Sequence, residues 1–207
     1  MTAMKTHQKI VYFIGIGGIG MSALARWFKA HDYIVMGSDL VESATTKELR
    51  AENIKITIGA HRASTLPKNC SRVIYNQAIN DKNPELIEAK HQHIPTASYP
   101  QCIGELTRLY KTIAIAGAHG KSTTTALVAL ILEKAKFDPT VIIGTKLKEF
   151  GNKNFREGKS EYLVLEADEW KNSFGHYFPY ATLVTNIDRE HLDYYKNLTV
   201  IKKAFLN

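Results

Sequence analysis

The chain has 207 residues, 44% hydrophobic and 23% charged, with a formal net charge of +7. That length fits one large domain or two small ones, and the composition excludes disordered and fibrous classes. No apolar run reaches the roughly 18–20 residues of a membrane span, the amino terminus lacks the apolar core of a secretion signal, and the two cysteines, Cys70 and Cys102, build no disulfide framework, so a cytoplasmic protein is expected.

The run Ile10-Val11-Tyr12-Phe13-Ile14 predicts a strand. A turn, Gly15-Ile16-Gly17-Gly18-Ile19-Gly20, follows at once, and a helix is expected from Met21 to Ala30. Strands are then predicted at 33–37, 55–58, 72–75 and 94–97, and helices near 43–52, 84–91 and 99–109. Pro84 near a helix start, and Pro95 and Pro100 at element edges, fit that division. Such alternation predicts a parallel, doubly wound sheet. A second unit of the same kind then begins. Thr112-Ile113-Ala114-Ile115-Ala116 reads as a strand, Gly117-Ala118-His119-Gly120-Lys121 as a turn, and Ser122 to Lys136 as a helix. Two α/β domains are therefore expected, 1–110 and 111–207, meeting near Tyr110. Further on, 144–160 reads as a polar loop carrying Gly144, Gly151, Gly158 and four lysines. Residues 161–165 and 181–185 read as buried strands, and 197–205 as a helix.

Gly15-x-Gly17-x-x-Gly20, between a strand and a helix, matches a dinucleotide-fold fingerprint. Its glycines let the backbone approach a pyrophosphate, and the helix from Ile19 points its N–H groups at the charge. Asp39, in Gly37-Ser38-Asp39, follows the second strand, where a carboxylate meets a ribose. NAD and a UDP-sugar satisfy this pattern equally, and a turn needed only for helix–sheet packing also produces it.

Gly117-x-x-Gly120-Lys121-Ser122 is a shortened phosphate loop, with Ile115 where the longer pattern has glycine. Successive backbone N–H groups make an anion nest. Lys121 reaches the outer phosphates, the Ser122 hydroxyl suits Mg²⁺, and Thr123 is placed to touch phosphate. The His119 side chain is a donor facing phosphate or substrate. In a parallel sheet the carboxyl ends of the strands share the edge of this loop. Glu166 ends one strand and is the best Mg²⁺ ligand candidate. Asp168 and Glu169 suit the metal or solvent alike. Asp188, Glu190 and His191 follow the next strand, and His191 suits either a second Mg²⁺ or packing at a helix start.

These pieces together resemble the Mur ligase family. The match rests on Ile14-Gly15-Ile16-Gly17-Gly18-Ile19-Gly20-Met21-Ser22, Gly37-Ser38-Asp39, Ala116 to Thr125, Glu166-Ala167-Asp168-Glu169 and Thr185 to Asp193, in the family's order and over nearly the whole chain. The resemblance implies a Rossmann-like parallel-sheet domain followed by an incomplete P-loop ATPase-like α/β domain, with the family's third domain absent. It implies that Gly15, Gly17, Gly18, Ile19, Gly20, Ser38 and Asp39 bind a UDP-sugar. It implies that Gly117, Ala118, His119, Gly120, Lys121, Ser122 and Thr123 bind ATP, that Ser122, Glu166 and His191 hold Mg²⁺, and that Lys121, Glu166 and His191 serve catalysis. The implied reaction joins L-alanine to UDP-N-acetylmuramate through an acyl phosphate in peptidoglycan synthesis. No nucleic-acid or membrane partner is expected, and the oligomeric state is left open.

The chain departs from the family pattern at Ala118 and Ser122, where threonine is usual, and at Trp170-Lys171-Asn172. Phe205 stands where some relatives carry a modified lysine, so that modification is not expected. The alternatives are a murein-recycling ligase that transfers a tripeptide, an NAD-dependent oxidoreductase and a non-catalytic nucleotide-binding module.

Overall fold

A computed structural model describes residues 8–168, 170–189 and 194–206, with backbone alone at Lys171, Asn172 and Leu206. The chain divides into two compact units, Met1–Tyr99 and Pro100–Asn207. No helix among the described residues is long and apolar enough to cross a membrane.

In the first unit β1 (Ile10–Ile14), β2 (Ile34–Asp39), β3 (Lys55–Ile58), β4 (Cys70–Tyr75) and β5 (Thr96–Ser98) pair in parallel, in the order β3-β2-β1-β4-β5. Helices α1 (Ile19–Ala30), α2 (Ala44–Ala51) and α3 (Pro84–His91) cross between strands, and α4 (Tyr99–Thr107), which follows β5, belongs from Pro100 onward to the second unit. The predicted parallel sheet is present. Its centre is β1, whose Val11, Tyr12, Phe13 and Ile14 are fully buried. A strand covered on both faces reads as an unbroken apolar run, which is why the alternation of a half-exposed strand is missing there. The chain steps outward from β1 through β2 to β3, then returns to the other side of β1 at β4. The turn after β1 therefore lies at a topological switch point, where open α/β sheets leave a crevice.

Two crossover helices begin with side-chain caps. Ser43 and Thr46 form a reciprocal capping box on α2, and the Asn83 side chain accepts from the amides of Glu85 and Leu86 ahead of Pro84 in α3. The helices that follow the glycine turns have no such cap, with Gly18 and Gly120 in that position.

The second unit contains β6 (Lys111–Ala116), β7 (Thr140–Leu147), β8 (Lys153–Arg156), β9 (Tyr162–Glu166) and β10 (Ala181–Val184), in the order β10-β6-β9-β7-β8. All pairs are parallel except β7 with β8. Helix α5 (Lys121–Lys134) packs Ala129 into a core with Ile115, Val141, Ile143, Phe150 and Val164, and α6 (Leu198–Leu206) ends the described chain.

Two expectations are corrected here. The stretch 144–160 is not a loop, because β7 runs on to Leu147 and β8 returns beside it. Gly144 looks like a strand breaker but is needed inside the strand, as its surroundings explain below. The strand ending at Val184 is not buried. It is the sheet edge beside β6, and all four of its residues are exposed.

Candidate functional site

The first glycine turn is held from the end of β2. Gly15 takes a positive φ of 77°, and the amides of Gly15 and Ile16 donate to the Ser38 carbonyl at 2.9 and 3.1 Å. The Gly17 amide donates to Asp39 Oδ2 at 2.7 Å. A side chain on Gly17 would place its Cβ 2.8 Å from that oxygen and 2.9 Å from Thr46 Cγ2, so only glycine lets the turn lie against Asp39. Asp39 thus sits at the turn, as the pattern requires. The Ser38 hydroxyl does not. It is buried and donates to Glu85 Oε2, which also meets His61 Nδ1 at 2.9 Å, while Tyr12 donates to Glu85 Oε1. Burial, with the Glu85 carboxylate beside it, pushes the Tyr12 phenol far above its ordinary pKa, so it stays a donor. Ser38 therefore shapes the turn through its carbonyl. Gly18 caps α1, Ile19 opens it and is exposed, and Gly20 lies in its first turn. Beside the switch point opens a cleft of about 410 Å³, lined among others by Leu40, His61, Ile79, Asn80, Lys82 and Asn83.

In the second unit the order of the strands composes the site. The turn after β6 lies between the end of β10 on one side and the end of β9 on the other. Gly117 and Gly120 take φ of 128° and 80°, and Lys121 folds its ammonium back onto the carbonyls of Gly117 and Ala118. Ser122 Oγ donates to Glu166 Oε1 at 2.9 Å. Glu166 Oε2 accepts from the Gly144 amide at 2.8 Å. A Cβ on Gly144 would lie 2.8 Å from Glu166 Oε1, so this glycine makes room for the carboxylate. Thr123 is exposed in the first turn of α5, whereas Thr125 is buried and donates to the Lys121 carbonyl.

The β10 side holds residues to which the sequence reading assigned no role. The amide of Ala118 donates to the Asn186 carbonyl at 3.0 Å, and that of His119 to Asn186 Oδ1 at 3.0 Å. Ala118 and His119, which the resemblance places at ATP, thus have their amides engaged by Asn186. The His119 carbonyl accepts from Asn186 Nδ2 at 2.9 Å and from Thr185 Oγ1 at 2.7 Å. The His119 ring stands 3.7 Å from Asp188 Oδ2. The signal available in sequence was the position of Thr185-Asn186 directly after a strand that ends at the same edge.

Asp168 turns its carboxylate onto the Trp170 amide at 3.0 Å. Glu169, Glu190 and the expected metal ligand His191 lie outside the described residues. Among the described residues no three His, Cys, Asp or Glu side chains cluster for a metal. The pair Ser122 and Glu166 nonetheless fits Mg²⁺, which takes few protein oxygens and completes its shell with water and phosphate.

Comparison with known proteins agrees with this layout. Residues 10–111 match the model described as Mur ligase family, catalytic domain, and residues 115–207 that of the Mur ligase middle domain. The chain belongs to the Mur ligase family. Among Mur ligases, the UDP-N-acetylmuramate–L-alanine ligase of Carboxydothermus hydrogenoformans is 46% identical over 94% of this chain and 42% of its own length. The enzyme of the same name from Aquifex aeolicus is 45% identical over 98% of this chain and 44% of its own length. The chain thus spans less than half the length of these curated relatives. A crystal structure of UDP-N-acetylmuramate-alanine ligase from Thermotoga maritima superposes with a TM-score of 0.87 at 34% identity, covering 97% of this chain and 46% of that one. A crystal structure of UDP-N-acetylmuramate:L-alanyl-gamma-D-glutamyl-meso-diaminopimelate ligase from Neisseria meningitides gives 0.86 at 26% identity, covering 96% of this chain and 66% of that one.

Proposed function

We propose that this Mur ligase chain supplies the nucleotide-handling units of an ATP-dependent amide ligase that adds L-alanine to UDP-N-acetylmuramate, in the cytoplasm, for peptidoglycan synthesis. The observation that carries the reading is Ser122 and Glu166 joined at 2.9 Å beside the turn bearing Lys121. A hydroxyl and a carboxylate, paired at the start of an uncapped helix, form a site for a metal–triphosphate complex.

In the first unit, the turn 15–20 and α1 receive the pyrophosphate of the UDP-sugar. Asp39 accepts from its ribose, and the cleft beside His61 and Asn80 receives the nucleoside end. In the second unit, α5 and Lys121 receive the triphosphate of ATP. Bound Mg²⁺, held by Ser122 and Glu166, would neutralise charge on the phosphates. Lys121 leaves the Gly117 and Ala118 carbonyls and follows the charge that develops on the transferred group. The muramyl carboxylate attacks the γ-phosphorus and ADP leaves, forming an acyl phosphate. The amine of L-alanine then attacks that carbonyl carbon, loses a proton and expels phosphate. L-Alanine is favoured over a tripeptide because the superposed L-alanine ligase is 34% identical to this chain, against 26% for the tripeptide ligase.

Calorimetric titration with UDP-N-acetylmuramate and separately with NADH tests the reading. Binding of the UDP-sugar is expected. Binding of NADH without the UDP-sugar would replace the ligase with an oxidoreductase.

A further inference from the structure

The contacts between His119 and Asn186 join two segments 67 residues apart in the chain. A carboxamide facing a peptide group gives one donor and one acceptor and receives the same, so the orientation of the Asn186 amide is dictated by its partner. Thr185 adds a second donor to the His119 carbonyl, and the Asn186 carbonyl engages Ala118. A Cβ on Gly117 would overlap Thr185 Oγ1, so the two segments touch with no space for a side chain between them. The middle of the phosphate turn is therefore held from β10, between two residues in left-handed backbone, Gly117 and Gly120.

We propose that Asn186, supported by Thr185, is a positioning residue for phosphate binding. It consumes the Ala118 and His119 amides, holds the turn in its bound shape, and leaves the anion to α5's first turn and Lys121. It does not itself touch the nucleotide. This rests on the reading of the 117–122 segment as the ATP site. A turn held before the ligand arrives loses less entropy on binding.

The test uses the whole chain with Asn186→Ala, Asn186→Asp and Thr185→Ser. Asn186→Asp keeps an acceptor for the His119 amide but sets an oxygen against the His119 carbonyl. Amide hydrogen exchange of the turn, affinity for a fluorescent ATP analogue with Mg²⁺, affinity for UDP-N-acetylmuramate and thermal melting are measured together. Both Asn186 variants are expected to speed exchange at Ala118 and His119 and to weaken ATP by about tenfold, the scale of one or two lost hydrogen bonds. Thr185→Ser keeps the hydroxyl and should remain near wild type. UDP-sugar affinity and melting should change little, since Asn186 is exposed. Unchanged exchange or unchanged ATP affinity in both Asn186 variants overturns the proposal, as does an equal loss of UDP-sugar binding. Failure of the wild-type chain to bind ATP would instead overturn the functional reading, while the exchange data still decide the clamp.

Discussion

Ser122 donates its hydroxyl to Glu166 across 2.9 Å, although 44 residues separate them in sequence. The pairing follows from β6 and β9 lying side by side, so that the helix start after β6 faces the last residue of β9. Glu166→Gln preserves an acceptor for Ser122 and removes the charge that Mg²⁺ would meet. Partners one shell out from a metal are typically worth 10–100-fold in its affinity, so loss of a direct ligand should cost at least about tenfold. Titrating Mg²⁺ at fixed nucleotide checks this, and an unchanged Mg²⁺ requirement would remove Glu166 from the site.

Lys121→Ala is expected to abolish binding of ATP–Mg²⁺ while leaving the fold intact, since in the absence of nucleotide the ammonium contacts carbonyls of its own turn. Calorimetry with ATP and Mg²⁺ reads the loss. Wild-type affinity in that variant would mean the turn only shapes the fold.

Gly37→Ala tests the seam between β1 and β2. A Cβ at Gly37 would lie 2.6 Å from the Phe13 carbonyl oxygen and 3.0 Å from Ile16 Cδ1. Backbone cannot swing aside as a side chain can, so overpacking should cost about 1–3 kcal/mol in chemical denaturation. UDP-sugar affinity should fall too, because Ser38 and Asp39 follow at once. Stability within about 0.5 kcal/mol of wild type would contradict this packing.

Acid sensitivity is expected at the start of β7. Arg156 donates to Asp138 Oδ1 at 2.6 Å and to the Pro139 carbonyl at 2.7 Å. The Arg156 hydrogen bond first, and the Lys159 amide second, hold the Asp138 carboxyl below its ordinary value of 3.8. The folded state therefore binds this proton more weakly than the unfolded one, and the contribution is present above pH 3.8 and lost as the pH falls below it. Acid titrations of wild type and Asp138→Asn should converge at low pH and separate above it. Parallel curves through that range would show that the ion pair does not matter to stability.

The legible parts of the sequence were those with a local cause. The apolar run Val11–Ile14 announces a strand covered on both faces, and Pro84 after Asn83 announces a helix start, because burial and capping act within a few residues. The β7–β8 hairpin was hidden because Gly144 and its neighbouring lysines read as loop. That glycine is required by Glu166, 22 residues away, and nothing local reveals it. Ser38 shows the same limit, since its place near the end of β2 suits a ligand contact while its hydroxyl meets Glu85 of α3, 47 residues away.

By itself, the sequence determined that two glycine turns each join a strand to a helix, and that Lys121 and Ser122 stand at the start of the second helix. Those features depend on the order of residues and on backbone geometry alone. Tertiary structure decided which groups meet them. The order β10-β6-β9 put Asn186 on one side of the phosphate turn and Glu166 on the other. It thereby assigned the Ala118 and His119 amides to Asn186. The physical reason is that hydrogen bonds form between neighbours in the sheet, and sheet neighbours need not be neighbours in the chain.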